Sequence, residues 1–128
     1  MDVALWIAAG LLALVALVSG SSKAFVPKEK LSAVHGGEWT DDAGVGFVKT
    51  LGLIEILAAV GLILPGLLGV ATFMVPVTAV CWIVLMVLAI ITHLRYEGGV
   101  KFALLNVTYL AIATFIAWGR IVAEPFTA

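Results

Sequence analysis

Four long apolar stretches, separated by polar connections of very different length, organise this chain. Residues 3–22 carry no charged side chain, residues 45–64 carry only Lys49 and Glu55, and residues 67–92 and 102–119 carry none. A helix needs about 20 mostly apolar residues to cross roughly 30 Å of hydrocarbon. Each stretch meets or approaches that length. The pattern therefore predicts an all-α fold, a bundle of four transmembrane helices forming a single transmembrane domain over residues 1–128. The first stretch has no cationic segment ahead of it, because Asp2 is the only charged side chain before Lys23. It is read as a spanning helix and not as a secretory signal.

The connections add detail. Pro65-Gly66 between the second and third stretches predicts a tight helical hairpin. Pro76 predicts a kink in the third span, since it frees the carbonyl of Thr72. Residues 93–99 form a short polar loop. Residues 19–44 form a long one, holding Lys23, Lys28, Lys30, His35, Glu38, Asp41 and Asp42. Loops of more than about 12–15 residues usually carry function or lack structure of their own. Within it, Pro27 and the following residues 28–31 predict a short interfacial helix, and Thr40-Asp41-Asp42 a cap for the second span.

Composition says what surrounds these helices. The chain is 63% hydrophobic and only 12% charged, with a mean hydropathy of +1.21. A water-soluble domain needs about 25% charged residues to cover its surface. Lipid is therefore the expected solvent for most of the exterior. A net charge of −1 gives no basic face for nucleic acid. The single cysteine, Cys81, excludes an internal disulfide or dithiol centre.

Four spans place both termini on one face and both charged loops on the other. Lys23, Lys28, Lys30, Lys49, Arg95 and Lys101 belong to the loop face, and only Arg120 to the terminal face. The positive-inside rule then predicts loops in the cytoplasm and both termini outside it. Trp6 and Trp118 at one boundary, and Trp39 and Tyr96 at the other, are expected interfacial anchors.

Glu55 is the residue with most chemical content. It lies about 15 Å into its span, near the bilayer midplane, where an ionised carboxyl costs about 2.5–3.5 kcal/mol on insertion scales. Gly52, Ala58 and Ala59 share its face, as a close helix contact requires, so Glu55 is expected to point into the bundle. Two readings stand side by side: a neutral, hydrogen-bonded piece of structural glue, or a ligand or proton site. Lys23, snorkelling inward, is the favoured partner, with Asn106 and Tyr109 next. Lys49 lies about 120° around the helix from Glu55 and is a poor one. Asn106, Tyr109 and Ala113 mark one side of the fourth span, either as pocket lining or as interhelical hydrogen bonding. Trp82 is either a core aromatic or a platform for a flat ligand such as a quinone ring. Cys81, in apolar surroundings, is expected to be inert.

Two patterns fail on inspection. Residues 44–50 look like a phosphate loop but lack the Gly before the Lys and follow no strand. His35, Glu38, Asp41, Asp42 and His93 match no zinc spacing, so no metal site is expected.

Ser19-Gly20-Ser21-Ser22-Lys23 at the end of the first span, Gly52-Leu53-Ile54-Glu55 with Gly61 in the second, the polar 93–99 hinge and the final Gly119-Arg120 resemble the DoxX-like family of small four-span bacterial membrane proteins. The resemblance covers nearly the whole chain. It implies a bacterial cytoplasmic (inner) membrane protein with a redox-associated role in a quinone- or thiol-linked system; it leaves the cofactor unknown, with a quinone as one candidate. It supplies no catalytic residue to carry over, and the missing cysteine pair argues against thiol exchange. Three functional readings follow. One is a redox-linked protein holding a small apolar ligand between helices, with Glu55 and Lys23 as its polar end and Asn106, Tyr109 and Trp82 around it. The second is a non-enzymatic accessory subunit of a larger membrane complex, or a homo-oligomer. The third is a small transporter using Glu55 for protons.

Overall fold

Local sequence sets where each helix starts and stops. The computed structural model describes residues 1–33, 37, 39–96 and 98–126. Helix α1 spans Asp2–Phe25, with Asp2 in its first turn and Lys23 in its last, both complementing the helix dipole. It stops because Pro27 forces Val26 into extended backbone (φ −82°, ψ 134°). Pro27 then opens the short α2, Lys28–Ala33, its carbonyl accepting from the Lys30 and Leu31 amides. A further single turn, α3, covers Trp39–Asp42.

The second spanning helix, α4, runs Val45–Leu68. It passes through Pro65-Gly66, so the expected break there is displaced. In an apolar setting a proline sacrifices one backbone bond without ending the helix. Gly66 serves packing instead, since a Cβ on it would sit 2.7 Å from the Phe126 ring. The chain reverses further on. Gly69 adopts left-handed backbone (φ 69°) and caps the helix on the Pro65 carbonyl. The third span therefore starts later than residue 67, with α5 at Met74–Leu94. That shift places Pro76 in the first turn, where an amide has no partner within the helix. The Thr72 carbonyl accepts from Val75, so the expected interior kink at Pro76 has no basis. The cap expected from residues 40–42 is likewise displaced. Gly44 precedes α4 with no side-chain cap, and the Asp42 carboxylate accepts a hydrogen bond from the Tyr96 hydroxyl. That bond joins the two polar connections on one face of the bundle. The fourth span, α6 (Val100–Trp118), continues past Gly119 as a π-turn, Gly119–Ala123.

Helix α1 packs most extensively on α4, and α5 on α6; α4 against α5 and α1 against α6 close the bundle. The α1–α4 crossing is made by Gly20 and Gly52. A Cβ on either would come within 2.6 Å of the other's carbonyl oxygen. Leu5, Leu12, Ala16, Leu62, Ala79 and Ile116 are completely or almost completely buried in the core. The outer surface carries Leu57, Phe73, Val84 and Leu104, all largely exposed. Four helices long and apolar enough to span, with an exterior of this kind, put the chain in a lipid bilayer.

Candidate functional site

The glycine crossing creates the conditions for a buried charge pair. With no side chain on Gly52, the Lys23 stem passes over α4 where a Cβ would lie 2.9 Å from its own Cβ. One turn along that face stands Glu55. The Lys23 Nζ lies 2.9 Å from Glu55 Oε2, with Glu55 3% and Lys23 18% exposed. Lys23 also donates to Ser19 Oγ at 2.5 Å, and its Nζ stands 6.0 Å from the Trp39 ring centroid. The ammonium is thus held by groups from α1, α3 and α4. Of the three partners considered for Glu55, Lys23 is the one at bonding distance. Lys49 acts separately, donating to the Ala24 carbonyl at the end of α1.

Between the α1–α4 pair and the α5–α6 pair lies a cavity of about 1090 Å³. Lys23, Glu55, Trp82, Asn106 and Tyr109 all line it. The rest of the wall is mainly apolar, including Leu14, Leu85, Met86 and Leu105. Val26, Leu31 and Trp39 cover its loop end. On each spanning helix the lining runs inward from the loop face, as far as Leu14, Glu55, Trp82 and Tyr109. Ligand sites in proteins are mostly apolar hollows of about 300–1,000 Å³ with a few placed polar groups. This cavity, at about 1090 Å³, is slightly larger than that range and shares its apolar character.

Trp82 sits in α5 and is 2% exposed, and its Nε1–H has no hydrogen-bond partner among the described residues. A buried donor left unmatched costs about 1–3 kcal/mol. Asn106 and Tyr109 stand one turn apart on α6 and, among the described residues, bond neither Glu55 nor each other. They contribute polar atoms to the wall without bridging helices. The Trp82 indole nitrogen has almost no accessible surface, so this donor does not open onto the cavity. Cys81 faces outward. His35 and Glu38 lie outside the described residues, and no group of three metal-ligating side chains occurs among the described ones.

A second buried charge went unread in the sequence. Arg120 Nη1 lies 2.8 Å from Asp2 Oδ1, with its side chain 3% exposed. It also donates to the Glu124 carbonyl, and the guanidinium carbon lies 3.9 Å from the Phe126 ring centroid. This clasp ties the start of α1 to the end of the fourth span. Gly119 permits it, because a Cβ there would meet the Leu5 side chain at 2.2 Å. The available signal was that Asp2 and Arg120 are opposite charges close to the two outer ends of the first and fourth spans.

The sequence profile of the DoxX-like family matches residues 7–116. That segment contains Lys23, Glu55, Trp82, Asn106 and Tyr109 and leaves the Asp2–Arg120 clasp outside. No curated protein and no solved structure matches the chain.

Proposed function

Because the chain belongs to the DoxX-like family, we propose that it is a redox-associated protein of the bacterial inner membrane that binds a small, flat, apolar ligand, a quinone by chemistry, between its two helix pairs. The observation that carries this reading is the cavity itself, about 1090 Å³ with an apolar wall and a buried Lys23–Glu55 pair at its polar side. Glu55 and Lys23 form the polar end, Asn106 and Tyr109 add hydrogen-bonding groups, and Trp82 packs against the ring. The four helices act as one transmembrane domain, with both termini outside the cytoplasm.

Co-purification in mild detergent tests the proposal. Organic extraction of the protein from its native membrane, followed by mass spectrometry, should return an isoprenoid quinone in near-stoichiometric amount. Recovery of stoichiometric protein partners with no such molecule would favour the accessory-subunit reading instead. The long polar connection and the apolar outer surface would then be its docking elements.

A further inference from the structure

We propose that the ligand enters this cavity from the hydrocarbon, through the gap between α1 and α6, and that once bound it keeps an apolar tail lying in that gap. The inference rests on the cavity being a ligand site. It adds to that site a tail groove, and a ligand class: a compact head carrying a long apolar chain.

Side chains that line a cavity and still face outward mark where its wall opens. Leu14 and Val18 on α1 and Leu105 on α6 all line the hollow, yet they are 60%, 61% and 48% exposed. All three are apolar and belong to spanning helices, so lipid chains lie against them.

Helix register gives the depth of this opening. Gly20 packs on the Glu55 side chain, which puts the two at one level. Leu14 is then about 9 Å further from the loop face, at about 1.5 Å per residue. Leu5 meets Gly119, and equal steps along the antiparallel α1 and α6 bring Leu105 opposite Ser19, beside Gly20. The α1–α6 gap therefore spans the depth of the Lys23–Glu55 pair. On the opposite side Phe47 and Leu88 also line the hollow and are exposed. Gly61 meets Thr78, which sets Leu88 opposite Leu51, so that mouth lies nearer the loop face than Glu55. The direct route from water is covered by Val26, Leu31 and Trp39, with Trp39 held beside Lys23. A head that meets the buried pair thus has its shortest path from lipid between α1 and α6, and its tail stays where lipid chains already run.

Phylloquinone and dimethylnaphthoquinone separate tail from head, because they share a ring system and differ by a phytyl chain in place of one methyl group. Both are titrated against detergent-solubilised wild type, Leu105→Trp and Leu88→Trp. Comparing each probe with itself across the variants cancels its partition into detergent. Leu105→Trp crowds the α1–α6 gap and should weaken phylloquinone about tenfold while leaving dimethylnaphthoquinone unchanged. Leu88→Trp should change neither. In wild type, a naphthoquinone with a diazirine at the end of an alkyl tail is photolysed, and its adducts should map to α1 and α6 around Leu14, Val18 and Leu105. That second measurement stands even if a variant does not fold. Adducts on α2 and α3 or around Phe47 and Leu88, equal weakening of both probes by Leu105→Trp, or weakening of neither would overturn the α1–α6 groove while leaving the cavity as a ligand site. Failure of wild type to bind either probe saturably would overturn the cavity reading and this inference with it.

Discussion

The Lys23–Glu55 pair shows how two costly groups become tolerable at membrane depth. Each alone would be an uncompensated charge in a medium that barely solvates it. Together, 2.9 Å apart, with Ser19 bonded to the ammonium, they satisfy each other. Lys23→Met should therefore leave Glu55 without its cation, and Glu55→Gln should leave Lys23 without its anion. Either is expected to destabilise by about 3 kcal/mol, the low end for breaking a buried pair because Lys23 keeps some exposure. The double variant should be less destabilised than the sum of the singles, read as thermal unfolding in one detergent. Strict additivity would show that the two side chains are not coupled. Glu55 was legible in the sequence because a lone carboxyl in an apolar run is conspicuous, and Lys23 because it ends the neighbouring span. The state of Trp82 was not legible. A tryptophan in an apolar run looks the same whether or not its nitrogen has a partner, and only three-dimensional placement distinguishes the two.

Helix lengths and contacts carry a different lesson. Runs of apolar residues located all four spans, but Pro65-Gly66 and Pro76 misplaced the ends, because both signals derive from chains in water. In lipid the helix persists through Pro65 until Gly69 can take left-handed backbone. Pro76 then falls in the first turn of α5, where it costs no bond. The Gly20–Gly52 crossing was visible only as small residues beside Glu55, and their partners on α1 came from the fold. Its tightness is testable. Gly52→Ala places a Cβ 2.6 Å from the Gly20 carbonyl oxygen, whereas Gly46 on the same helix has open space around it. Gly52→Ala should lower stability by about 1–3 kcal/mol, as overpacking does. Gly46→Ala should be neutral or slightly stabilising by helix propensity. Equal melting temperatures for the two variants would contradict the close crossing.

The whole molecule is two helix pairs that meet near the termini and part towards the loops. At the terminal end Leu5, Ile116 and Gly119 fill the interior, and the Asp2–Arg120 pair clasps it. At the loop end the cavity opens beneath α2 and α3. The cations gather on this loop face, so a reporter active only in the cytoplasm, fused after Ala128, should be silent, and one fused within the loop at residue 97 active. The reverse pattern would invert the assigned orientation. The four-span fold follows from hydropathy, but the cavity depends on how the pairs splay, which no single helix encodes. Filling that space tests the ligand site most directly. Ala89 lines it from α5, and Ala89→Trp should place an indole inside without disturbing Lys23 or Glu55. Wild type and this variant are purified in parallel from native membranes, and their organic extracts are compared by mass spectrometry. Wild type should return a quinone at about one per chain, and the variant at least tenfold less while its melting temperature holds. The same compound in equal amount in both, or none above the level of bulk lipid in either, would contradict it.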